Sequence, residues 1–149
     1  MTPGEEIRQE YLTAEERFRE ALEQFPRSPG LLARLGKCLF LQGRIDEAIE
    51  CLLSSLEMEP AQPSLLLRAA DLFAIRERFE EAMRFYEHYQ HLRPNSPRGY
   101  ARMGDLLLRQ GFVWSAADAY GMALARRPDS KLLQGRMDAV LRLCNAREA

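Results

Sequence analysis

Four arginines, Arg34, Arg68, Arg102 and Arg136, recur at intervals of 34 residues. A guanidinium can fork two N–H groups onto one carboxylate, so a row of them at fixed spacing has the chemistry to hold an acidic segment. Other groups able to do chemistry are sparser. In "YEHYQH", His88 and His91 stand three apart beside Glu87, but no distant third ligand suggests itself, and no metal site is read there. Cys38, Cys51 and Cys144 are odd in number and fit no metal spacing; they read as buried thiols in a reducing compartment. No Gly-rich phosphate loop, nucleophile elbow or Ser–His–Asp grouping appears, so neither catalytic residues nor a cofactor is expected.

The arginines keep their interval because the whole chain does. "PRSPGLLARLG" at 26–36 returns as "PAQPSLLLRAA" at 60–70, as "PNSPRGYARMG" at 94–104 and, more faintly, as "PDSKLLQGRMD" at 128–138. A fixed period of this length marks a repeat architecture. Inside one period the pattern is helical twice. Leu32, Leu35, Gly36 and Leu39 follow the i, i+3, i+4, i+7 rule, with Ser28 placed to cap and Pro29 suited to the first helical position. "QGR" at 42–44 breaks that helix. A second runs from about Asp46 to Glu57, burying Ala48, Ile49, Leu52 and Leu56 before Pro60 stops it. Neither helix can bury its stripe alone, so pairs must stack on pairs.

These residues resemble the tetratricopeptide repeat family. The first full unit supplies Leu32, Leu35-Gly36, Leu39, Ala48, Leu52, Ser55 and Pro60 at the family's positions. The second supplies Leu66, Ala69-Ala70, Phe73, Ala82, Tyr86, Tyr89 and Pro94; the third supplies Tyr100, Met103-Gly104, Leu107, Ala116, Tyr120, Ala123 and Pro128. The resemblance implies an all-α, right-handed helical-repeat solenoid. Its expected parts form a single domain over 1–149: a partial repeat at 1–28 giving only a second helix, from near Thr2-Pro3, full repeats at 29–62, 63–96 and 97–130, and a capping helix at 131–149. Three residues depart from the pattern. Tyr89 stands where a small residue is preferred, which would spread or re-angle the junction that follows. Glu77 replaces the inter-helix glycine, and Trp114 takes a normally polar place.

Composition narrows the function. The chain has 149 residues, 46% of them hydrophobic, and a net charge of −1, which argues against a nucleic-acid binder. Residues 1–25 hold seven acids against three arginines, whereas 126–149 hold six basic residues against three acids. No run reaches membrane-spanning length and the acidic start lacks a signal-like apolar stretch, so a cytoplasmic address without membrane insertion is expected.

Helical geometry, at about 100° per residue, turns one set of first-helix positions away from the core. In the family resembled, such positions line a concave groove. The candidates are Arg34, Lys37 and Leu41; Arg68, Asp71 and Ile75; Arg102, Asp105 and Arg109; and Arg136, followed by Ala139 and Leu143. One reading is a non-catalytic scaffold that takes an acidic or amphipathic protein segment there. The competing reading pairs the arginines internally, through Asp71 and Asp105 within a helix or back to Arg34 and Arg68. Arg34 and Arg136, with no acid three or four residues away, are expected to be the freer pair. The dicarboxylate clamp of chaperone-binding relatives needs Asn at two positions that carry none here, so that motif is not expected as ligand. Trp114 marks a contact patch if exposed and inter-helix packing if buried. Two further functions stay open: a dedicated chaperone for a secretion substrate, and a structural subunit that weakly self-associates through its acidic front and basic rear.

Overall fold

The computed structural model describes residues 1–149 as eight helices: α1 (Pro3–Gln24), α2 (Pro29–Leu41), α3 (Ile45–Met58), α4 (Pro63–Ile75), α5 (Phe79–Leu92), α6 (Arg98–Arg109), α7 (Val113–Arg126) and α8 (Lys131–Glu148). The fold is all-α helical repeat, as expected. None of these helices is long and apolar enough to cross a membrane. The chain forms two compact units, Met1–Leu65 and Leu66–Ala149.

In the first unit, α1 starts where the sequence suggests. The Thr2 hydroxyl accepts from the Glu5 amide at 3.2 Å, and the Thr2 amide donates back to the Glu5 carboxylate at 2.7 Å, with Pro3 following. This reciprocal capping satisfies two amides that would otherwise lack partners. In α2 the Ser28 hydroxyl accepts from the Leu31 amide. The α2–α3 pair then buries Leu35, Leu39, Ala48, Ile49, Leu52 and Leu56. The two backbones come so close that a Cβ on Gly36 would lie 3.0 Å from a Leu52 methyl carbon. Fully burying one such aliphatic side chain contributes about 1.5–3 kcal/mol.

One charged group sits inside this unit. Glu15 occupies the register that Ile49 holds in the next repeat, yet it is buried. Arg44 reaches its carboxylate at 2.7 Å, while Gln42 and the Arg19 Nε each donate at 3.0 Å. Burial pushes the Glu15 carboxyl up, but the hydrogen bonds from Gln42, Arg44 and Arg19 prevail and hold it below its ordinary value. Arg44 in turn pairs with Glu47. A carboxylate thus ties α1 to the α2–α3 turn.

In the second unit the same pairing logic recurs. Tyr120 of α7 lies against Gly104 of α6, where an added Cβ would meet the ring at 2.6 Å. Val113, Ala116, Ala117 and Tyr120 of α7 share a core with Val140 and Cys144 of α8. Tyr89 does not need to wedge the following junction open. It is buried, its hydroxyl lies 3.0 Å from Ser96 Oγ, and Gly99 stands where Leu31, Leu65 and Leu133 stand in the other periods. A Cβ at Gly99 would meet the Tyr89 ring at 3.1 Å, so the volume added at one position is removed at the other. Gln90 completes the junction. Its buried amide donates to the carbonyls of Arg93, Pro94 and Ser96 and accepts from the Tyr100 amide, thereby capping α6 from the preceding helix.

The inter-helix turns show what Glu77 costs. Gly43 and Gly111 adopt φ of 78° and 84°, and Glu77 adopts 57° at the equivalent point. In each turn the next residue's amide returns to the carbonyl five residues earlier: Arg44 to Leu39, Arg78 to Phe73, Phe112 to Leu107. The hydrogen bonds impose the left-handed conformation, which a side chain disfavours by about 1–2 kcal/mol.

Two outcomes follow from these features. Glu77→Gly should raise stability by about 1 kcal/mol, seen as a melting temperature about 2–4 °C higher. Glu15→Gln should cost about 2 kcal/mol at pH 7. Because the folded-state carboxyl is depressed, its contribution is complete above the unfolded value of about 4.3 and is lost as pH falls through the folded value. Urea midpoints of the parent and Glu15→Gln should therefore converge on acidification; a gap that stays constant from pH 7 down to the lowest pH at which both proteins fold would show the network contributes nothing through charge.

Candidate functional site

The repeated arginines are not equivalent. On α2, in the first unit, Arg34 and Lys37 are exposed and neither makes an ion pair. Phe40 and Leu41 are exposed one turn further on. Beside Leu41 lies a groove of about 390 Å³ whose walls include Ile7, Arg8, Tyr11 and Leu12 of α1. Two cations and a strip of apolar side chains thus face solvent on one unit, without an acid to neutralise them.

In the second unit Arg102 and Arg136 are engaged. Asp71 of α4 accepts from the Tyr86 hydroxyl at 2.6 Å and lies 3.7 Å from the Arg102 Nε. One period later, Asp105 of α6 accepts from the Tyr120 hydroxyl at 2.5 Å and from Arg136 at 3.0 Å. Each aspartate therefore binds the tyrosine of its own repeat and the arginine 31 residues ahead. Burial first, then the hydrogen bond to the aspartate, raises both tyrosines far above the ordinary phenol range, so both remain donors.

This arrangement corrects two expectations. Arg136 is paired, not one of the freer arginines, because the acid it lacks on its own helix is supplied by the preceding one. The cross-repeat pairing also runs from each Asp to the following Arg, opposite to the expected direction. The sequence held a usable signal: Tyr follows Asp by 15 residues at 71/86 and 105/120, whereas the first repeat has Lys37 and Leu52 in those two places. Reading the arginines alone missed the tyrosines that orient their partners.

The remaining candidates separate as well. Arg109 donates to the Ala74 carbonyl at 3.1 Å and lies over the Phe79 ring at 5.6 Å, so it secures the end of α4. Arg68 is half-buried with no ion pair, and Ile75 and Leu143 are exposed. His88 and His91 are exposed on α5. Trp114 is 52% exposed, and its neighbour Phe112 is 55% exposed. The equivalents of Phe112 in the earlier repeats are Arg44 and Arg78, which pair with Glu47 and Glu81. Phe112 thus stands where the earlier repeats carry a paired arginine, and Trp114 where they carry Asp46 and Glu80; Phe112 was not singled out by the sequence.

Residues 8–70 match the sequence profile of the tetratricopeptide repeat family. No curated protein matches the chain at the level of sequence. Among solved structures, MamA superposes with a TM-score of 0.85 at 17% identity, covering 99% of this chain and 88% of that one. The first tetratricopeptide domain of Spaghetti, solved with the HSP90 peptide SRMEEVD, gives 0.71 at 20% identity, covering 78% of this chain and 93% of that one. The corresponding domain of Sgt2 from Aspergillus fumigatus gives 0.71 at 18% identity, covering 81% and 82%. At these identities the likeness concerns the fold. The 34-residue phase, the helix pairs and the profile over residues 8–70 agree: the chain has the tetratricopeptide repeat fold, and its first part resembles that family in sequence.

Proposed function

We propose that the protein is a non-catalytic scaffold that captures an acidic, amphipathic segment of a partner protein on the solvent face of its first helices. The observation that carries this reading is the contrast between repeats. Arg34 and Lys37 on α2 lack any acid, while Arg102 and Arg136 are already compensated by aspartates. The uncompensated pair is the stronger anion attractor, and Phe40, Leu41 and the neighbouring groove offer apolar contact beside it. A chain of the same fold holds a peptide containing two glutamates and an aspartate, which supports the acidic class of ligand. The exposed Phe112–Trp114 pair supplies a separate apolar contact on the second unit. Three unpaired cysteines accord with a cytoplasmic setting.

Exposed ion pairs contribute about 0–1 kcal/mol and partly dried bidentate ones about 1.5–3, so affinity near micromolar and sensitive to salt is expected. The test is affinity purification with mass-spectrometric identification, followed by titration of the recovered partner. Arg34→Glu with Lys37→Glu should weaken binding about 10–100-fold, whereas Arg136→Gln should change it less than about threefold. Binding indifferent to reversal of both α2 charges would overturn the assignment of this face.

A further inference from the structure

Each full repeat here has a first helix resting on a second; α1 stands at second-helix register, and no helix of these 149 residues covers the face that a first helix would take. Ala48, Leu52, Ala116 and Tyr120 are at most 1% exposed, each covered by the first helix of its repeat. Their register equivalents on α1, Ala14 and Phe18, are only half-buried. Beside them runs a groove of about 760 Å³ lined by Met1, Glu6, Glu10, Ala14, Arg17 and Phe18 among others. The lining positions advance by three and four along α1, so the groove has the length and straightness of a helix.

The complementary object is α8. It stands at the first-helix register, 34 residues after α6, and packs through Leu133, Val140 and Cys144. Its other side faces solvent. Leu141 is 42% exposed where Leu39 of the first repeat is 0% exposed, and Gly135 has no atom within 4 Å of where a Cβ would stand. Charge separates the two surfaces. α1 carries seven acids and three arginines, while α8 carries four basic residues and two acids.

We infer that the α1 groove receives α8 of a second copy of this chain, completing one helix pair between molecules. The pairing inside the full repeats sets the register, since Gly36 lies on Ala48 and Leu52. Carried over, it places Asp138 of the second copy beside residues 14–18, where Arg17 is exposed. The antiparallel course then brings Arg142 toward Glu10 and Lys131 toward Glu23, with the exposed Leu141 over Ala14 and Phe18. All three charged contacts join opposite signs, which favours this partner and direction over the reverse. The contact is heterologous: each copy that fills one groove presents its own groove to the next, so association continues past the dimer.

Sedimentation or light scattering on the 149-residue chain at low ionic strength tests this directly. The expected result is a mass that rises with concentration through the micromolar range and falls when salt is raised. Glu10→Arg and Arg142→Glu should each weaken self-association about tenfold while leaving the melting temperature unchanged, since both side chains are exposed. The double variant, or an equimolar mixture of the two single variants, should restore it. A mass that stays monomeric at several hundred micromolar in low salt would overturn the inference. So would an association that neither charge reversal affects, because the contact would then lie elsewhere.

Discussion

The close approach of the two helices within a repeat is the constraint on which the structure depends. At Gly36 and Gly104 the first helix leaves no space for a side-chain atom between itself and Leu52 or Tyr120. That proximity removes the apolar stripes of both helices from water together. A helix of 12–14 residues is marginal by itself, so the pair and its neighbours supply the stability that local propensity cannot. Small residues recur because any added atom at these contacts separates surfaces that are favourable only when touching. The regular phase of Ala14, Ala48, Ala82 and Ala116 is this constraint written in sequence.

Where a repeat departs from the rule, the departure is absorbed nearby. Tyr89 is large at a small position, and Gly99 opposite it makes the room, with Gln90 holding the turn whose helix lacks a capping side chain of its own. Glu77 has no such compensation, since its hydrogen bonds fix a positive φ whatever the residue. Period and helix boundaries were legible because they arise from local patterns: proline spacing, caps and stripes. The Tyr89–Gly99 exchange was not, because it requires knowing which residues of successive helices face each other. Glu15 was hidden for a related reason. A glutamate on a helix usually reads as solvated, and only the turn carrying Gln42 and Arg44 makes its burial tolerable.

The same distinction governs the candidate site. The arginine ladder is visible in sequence as a spacing, but spacing does not reveal charge state of the surroundings. Asp71 and Asp105 each gather a tyrosine hydroxyl and a guanidinium, so Arg102 and Arg136 are oriented and partly neutralised. At Asp105 the phenol takes Oδ1 and leaves Oδ2 for Arg136, giving that pair a direction along the repeats. The first repeat cannot build this arrangement, because Lys37 and Leu52 replace both the acid and the hydroxyl. Uniform spacing therefore conceals two kinds of surface, one compensated and one cationic.

That asymmetry bears on how a partner would be recognised. Replacing an existing Asp–Arg contact with a ligand carboxylate gains little, because one desolvated pair is exchanged for another and the tyrosine's acceptor is disturbed. An uncompensated cation has no such contact to surrender. The attraction at α2 is thus net, though screened by salt over about 8–10 Å. The apolar side chains next to it determine how much of that attraction survives binding, since a carboxylate held beside Phe40 and Leu41 is shielded from water in a way that an isolated surface charge is not. On the proposed reading, specificity would come from the combination. An acidic segment without apolar residues would meet only the screened charge, and an apolar one without acids would leave Arg34 and Lys37 partly desolvated and unpaired, a cost that rejects it.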